Sequence, residues 1–218
     1  MTKNKKFAFT LAEVLITLGV IGVVSAITMP TLIQNYQKNV TVGKLKQTYN
    51  ILYQAVRMSE NDNGNIDEWS WASTGSEAHI EWVNKYLAPY LKYTKLVPNE
   101  AGTRAHLYLP NGVVLEFWCS GGNQMHVWVY LDGKINMNSG KNFFGFFIGG
   151  VPLAGNNKEV RPYDSSFNET SYYNNGETEI RDKWKNNTKF GCNKDAHKYY
   201  CAGLIMHDGW QIKDDYPW

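Results

Sequence analysis

Hydrophobic and polar positions along this 218-residue chain fall into three regimes. Between Glu13 and Lys38 no side chain is charged, and Val14 to Met29 forms an almost unbroken apolar run. Counted from Phe9 to Met29 the stretch has 21 residues, roughly 31 Å as a helix and enough to cross a hydrocarbon core of about 30 Å. From Thr31 to about Ser59 the pattern turns amphipathic: Ile33, Tyr36 and Val40, then Leu45, Tyr49, Leu52, Tyr53 and Val56, mark one apolar stripe. Lys38, Lys44, Lys46 and Arg57 take other faces. Pro30 is expected to kink this rod or open one turn rather than end it, with Gly43 as a second soft point. The turn formers Asn61-Asp62-Asn63-Gly64-Asn65 predict its end.

The third regime is mixed. Residues 66–76, with Trp69 and Trp71 among polar neighbours, read as a loop. Residues 77–91 predict a second helix, with Ile80, Val83, Leu87 and Leu91 on one face and Pro89 near its end. Strands are predicted at Ala105–Leu109 and Val113–Cys119, joined by the turn Pro110-Asn111-Gly112, then at Val127–Leu131 and Phe143–Ile148. Connections this short call for antiparallel pairing. Residues 150–190 show little periodicity and read as a long surface loop. Short packed segments are expected at Ala202–Ile205 and Gly209–Ile212. The class is α+β.

Composition narrows the picture. A 43% hydrophobic and 14% aromatic content excludes a disordered chain, and three cysteines are too few for a disulfide scaffold. A formal charge of +2 leaves no electrostatic footprint for nucleic acid, and no nucleic-acid partner is expected. A mean hydropathy of −0.43 excludes a polytopic membrane protein but not a single span. Lys3, Lys5 and Lys6 precede the apolar run, so the short basic end belongs in the cytoplasm and everything after Met29 outside. A secretory signal peptide would share this layout, but Ser25-Ala26-Ile27-Thr28 is a poor cleavage site. Glu13 also argues against it, because a charge within a membrane span costs about 2.5–3.5 kcal/mol and reads as functional.

The string Lys5-Lys6-Phe7-Ala8-Phe9-Thr10-Leu11-Ala12-Glu13-Val14-Leu15-Ile16 resembles the cleavage and methylation motif of type IV pilins and type II secretion pseudopilins. The resemblance implies a leader, 1–8, cut between Ala8 and Phe9 by a prepilin peptidase that then methylates the Phe9 amine. Glu13 becomes the fifth mature residue and an assembly determinant, and Pro30 the helix-softening proline. The family usually has Gly before the cut where this chain has Ala8; processing is expected to survive, more slowly. Implied with it are a transmembrane half-helix at 9–29, an amphipathic half at 30–60 and an extracytoplasmic head at 61–218. That is the pilin architecture, a long helix packed on a small antiparallel sheet with a loop and a stapled C-terminal segment. The ending Gly209-Trp210 to Asp214-Asp215-Tyr216-Pro217-Trp218 is similar to endings of bacterial pseudopilin-like proteins.

The implied partners are the peptidase, other pilin-like subunits, an inner-membrane assembly platform and membrane lipid. The implied localisation is single-pass in a bacterial inner membrane, and the implied role is a non-enzymatic filament subunit for type II secretion. A pilus or DNA-uptake subunit, or a membrane-anchored carbohydrate-binding protein, are the alternatives. Three pairings of Cys119, Cys192 and Cys201 are open; the resemblance favours Cys192–Cys201, because pilins often staple a C-terminal loop. A zinc set of Cys192, His197, Cys201 and His207 fits no familiar ligand spacing. Asp132, Asn136 and Asn138 put three side-chain oxygens in one turn, and the resemblance makes calcium their candidate ion. The same residues are ordinary turn formers, which is the favoured reading, so no cofactor is expected. No phosphate loop, Gly-x-Ser-x-Gly elbow or His-Glu-x-x-His is present, and no enzyme is expected.

Overall fold

A computed structural model describes residues 10–119, 121–136, 140–150, 159–163 and 177–218, the side chains of 177–180 excepted. The chain divides into two compact units, Met1–Val40 and Thr41–Trp218. One helix, α1 (Leu11–Asn63), runs through both. It continues past Pro30, which lacks the N–H that would bond the Ala26 carbonyl, so the proline removes one bond without ending the helix. Gly64 ends it in the left-handed conformation, φ 79°, where a side chain would be strained.

In the first unit the apolar side chains of α1 stand exposed from Leu11 to Ile33. Burial along the predicted stripe starts later than its first residue, Ile33. Ile33, Tyr36 and Val40 are exposed, whereas Leu45, Leu52, Ala55 and Val56 are fully buried in the second unit. Between them Thr48 is also buried, its hydroxyl donating to the Lys44 carbonyl at 2.8 Å.

The second unit is built on a six-stranded antiparallel meander whose strands neighbour one another in chain order. They are β1 (Lys95–Pro98), β2 (Ala105–Tyr108), β3 (Val114–Trp118), β4 (Gln124–Tyr130), β5 (Phe143–Gly149) and β6 (Arg161–Pro162). Gly112, at φ 83°, turns β2 into β3 where Pro110-Asn111-Gly112 predicts a hairpin. Two strands escape the sequence pattern. β1 is four residues long and ends in proline, and β6 is two residues paired to Phe146 and Phe147. β4 begins three residues before the predicted Val127, because Gln124, Met125 and His126 pair with Gly149, Ile148 and Phe147.

Alternation sorts the sheet into two faces. Ala105, Leu107, Leu115, Phe117, Val127, Val129, Phe144 and Phe146 join Leu52, Val56 and residues of α2 (Ser76–Tyr86) in the main core. The opposite face carries a second cluster of Val114, Trp128, Tyr130 and Phe143, with Tyr108, Trp118 and Tyr199 packed on it. α2 is shorter than the predicted 77–91. Pro89 cannot donate the next helical bond, and Ala88–Tyr90 tightens into a 3-10 turn instead. Within the stretch read as loop, 150–190, the described residues contain β6 and α3 (Glu177–Asn186). α3 packs on α4 (Cys201–His207), and Gly203 faces the Trp184 ring so closely that a Cβ there would stand 3.2 Å from it, tighter than an ordinary contact.

Candidate functional site

The N-terminal turn of α1 is organised around Glu13. The Thr10 N–H and hydroxyl both donate to Glu13 Oε2 at 2.8 Å, and the Glu13 N–H donates to Thr10 Oγ1 at 3.2 Å. This reciprocal capping box closes N–H groups that a helix start otherwise leaves unpaired. Glu13 Oε1 has no hydrogen-bond partner among the described residues. Farther along, the Thr17 hydroxyl donates to the Val14 carbonyl and the Thr28 hydroxyl to the Val24 carbonyl, both at 2.9 Å. These two hydroxyls are therefore satisfied within the helix, as an apolar surrounding requires. The helix is long and apolar enough to cross a membrane, and its most apolar stretch buries nothing within the subunit. Ala8 and Phe9, the expected cleavage and methylation residues, lie outside the described residues.

The C-terminal staple exists. Cys192 and Cys201 are disulfide-bonded across a sequence separation of nine, leaving Cys119 as a free, buried thiol. With both sulfurs committed to each other, the zinc set falls: His197 instead stacks on Tyr199 and His207 lies edge-on to Trp184. No group of three or more His, Cys, Asp or Glu among the described residues is placed to hold a metal. In the calcium-candidate turn, one amide NH₂ of Asn142 donates to both Asp132 carboxylate oxygens at 3.2 Å and to Asn136 Oδ1 at 2.6 Å. Asp132 and Asn136 are thus brought together, while Asn138 lies outside the described residues.

The tryptophans do not form one platform. Trp69 stacks on Tyr86 and Trp71 on Trp82, with Trp82 edge-on to Trp69 and tilted against Tyr86, within or against the main core. Trp210 rests on Tyr49, and Trp118 and Trp128 lie on the opposite sheet face. On that face the Arg104 guanidinium sits over both, 5.4 Å from the Trp118 ring and 4.4 Å from Trp128. Arg104 pairs with Glu116, whose other oxygen lies 2.6 Å from His106 Nε2. Burial would raise the Glu116 carboxyl, but the hydrogen bonds from His106 and Arg104 outweigh it and hold it below the usual carboxylate range. Beside them His126 stacks on Trp118 at 4.0 Å with its Nδ1 unpartnered among the described residues, and burial, together with Arg161 and Arg104, pushes it down to about 4.

Charge also ties down the end of the chain. Arg181 binds Asp208 through Nε and Nη2 and reaches Asp215, which Lys185 also holds at 2.7 Å. Hydrogen bonds from Arg181 and Lys185 keep the Asp215 carboxyl well below its ordinary range. The Tyr216 hydroxyl donates to the Gly140 carbonyl at 2.6 Å. No local sequence pattern marks this network or the Arg104–Glu116–His106 network, since both join residues far apart in the chain.

Two family models match the chain. Residues 31–218 match a family of unknown function (DUF6613), and residues 3–29 match the prokaryotic N-terminal methylation motif, the signal of type IV pilins and pseudopilins. Neither the curated proteins nor the solved structures include a significant match. The methylation motif implies processing by a prepilin peptidase and assembly with other pilin-like subunits. Together with the long apolar helix it fits a single-pass membrane anchor.

Proposed function

The chain belongs to this family of unknown function (DUF6613) and carries the pilin-type methylation motif at its N-terminus, and from that we propose a structural filament subunit. The subunit is inserted by its apolar half-helix, cut between Ala8 and Phe9, N-methylated on Phe9 and polymerised with other pilin-like chains. It catalyses nothing itself; its head stands outside the inner membrane and the filament serves type II protein secretion.

The observation that carries this reading is the register of the motif over residues 3–29 with Glu13 at the first turn of an exposed apolar helix. A carboxylate in lipid is costly when alone and much less so beside a cation. The capping box occupies one oxygen of Glu13 and leaves the other for the α-amine that cleavage creates on Phe9 of a neighbouring subunit. Each added subunit then neutralises a buried charge, which favours one axial offset over all others. Gly19 and Gly22 support close approach: a Cβ at either would meet nothing within 4 Å in the isolated chain, so the space beside them is open to a neighbouring helix.

Glu13→Ala tests the assembly step. The variant should insert in the membrane and be cleaved normally yet yield no sheared or cross-linked multimers. Wild-type multimer yield from Glu13→Ala would overturn the role given to the carboxylate. Deleting the gene should leave exoproteins stranded in the periplasm, and undiminished secretion would remove the type II assignment.

A further inference from the structure

Within the second unit, a groove of about 330 Å³ runs between the C-terminal half of α1 and the turn after β2. One wall is Gln47, Ile51, Gln54 and Met58, spaced four, three and four residues apart and therefore on one stripe of the helix. The opposite wall is Tyr90, Lys92, Leu109, Pro110 and Asn111. Met58 is 51% exposed although apolar. Tyr90 spends its hydroxyl on Asp62 at 2.6 Å and offers the groove its ring. Gln47, Gln54 and Lys92 make no hydrogen bond, ion pair or ring contact with the described residues. Lys92 is the one charged side chain among those lining the groove.

These features select an occupant. Gln47 and Gln54 are about 10.5 Å apart along the helix axis, the length of about three residues of extended chain. Each amide offers both a donor and an acceptor, which suits the unpaired backbone groups of an extended segment. A helical occupant would leave those amides unused, since its own backbone groups bond internally. Ile51, Met58 and Leu109 provide the apolar floor, and Lys92 calls for an acidic side chain. The acidic C-terminal stretch of a second copy is poorly suited, because Asp215 is held by Arg181 and Lys185 and Tyr216 is buried.

We propose that this groove binds an extended, acidic segment of a different protein. The occupant's carboxylate sits on Lys92, its backbone on Gln47 and Gln54, and an apolar side chain on Ile51 and Met58. The groove is open in the isolated subunit, so its test can be read on unassembled subunits and does not depend on the filament reading.

The test uses the full chain in detergent micelles, panned against a random heptapeptide library displayed on phage. Enriched peptides should combine an acidic residue with neighbouring apolar ones, and synthetic versions should bind saturably. Lys92→Glu should weaken them about tenfold or more, the Gln47→Ala/Gln54→Ala pair about threefold or more, and Lys95→Glu, outside the groove, not at all. All these side chains are exposed, so the variants should melt with the wild type. If Lys92→Glu fails to fold, the glutamine pair decides alone. No enrichment, enrichment without acidic preference, or affinities unmoved by the groove variants would overturn the proposal. So would selected sequences that reproduce a segment of this chain, since a second copy would then be the occupant.

Discussion

Replacing His126 by phenylalanine should stabilise the protein in acid while leaving it nearly unchanged at neutral pH. His126 is 5% exposed, stacked on Trp118 at 4.0 Å and edge-on to Phe147 at 4.7 Å. It makes no side-chain hydrogen bond to the described residues, so a phenyl ring fits the slot without stranding a partner. The folded state holds the imidazole at about 4, against 6.5 when free, chiefly because burial penalises the charged form. Between these two values the unfolded chain binds a proton that the folded chain does not, so stability falls as pH drops from about 6.5 to about 4 and levels off below. Over the full interval that single group removes about 3 kcal/mol, most of it already lost at pH 4.5. For a domain of this size each kcal/mol moves the melting temperature by about 2–4 °C. At pH 4.5 His126→Phe should therefore melt about 5–10 °C above the wild type, followed by near-ultraviolet circular dichroism. At pH 7.5 the two should agree within about 1.5 kcal/mol, the usual cost of a near-isosteric core change. His79, also lowered by burial, titrates in both proteins and cancels in the comparison. Parallel loss of stability by both proteins between pH 7.5 and 4.5 would refute the argument.

Leu52 is fully buried in the main core, so Leu52→Ala should cost about 2–5 kcal/mol and lower the melting temperature in proportion; a change under 1 kcal/mol on the order-of-magnitude scale would mean α1 does not anchor the sheet. The disulfide closes a short ring, worth about 2.5–3 kcal/mol by loop entropy. Cys192→Ala/Cys201→Ala should lose that amount in denaturant melts and become insensitive to reductant, whereas wild-type stability without the pair would contradict it.

How much of this was legible depends on whether a local pattern survives tertiary burial. The helix end at Asn63, the Pro110-Asn111-Gly112 turn and the strands around it rest on local turn chemistry, and the structure places them where the sequence does. β4 and β5 are buried at every position, so the two-residue alternation that marks a half-exposed strand is erased there. Arg104, His106 and Glu116 alternate with apolar residues like a solvated face. Trp128, Tyr130, Phe143 and Tyr199 gather on that side, and Glu116 ends 3% exposed. His79 gives another example: its Nε2 accepts the Cys119 N–H at 2.9 Å, a contact across 40 residues that no spacing rule reports. Ile33, Tyr36 and Val40 show the converse, since the apolar stripe is real but these three side chains stand exposed among the described residues. The methylation motif over residues 3–29 is legible because its signal is a contiguous string of residues, not a folded surface.

The central claim is most directly tested by mass spectrometry of the N-terminus of the protein purified from its native membrane. Cleavage after Ala8 should leave N-methylated Phe9 as the first residue. An intact Met1, or a first residue after Ala26, would contradict the filament-subunit account.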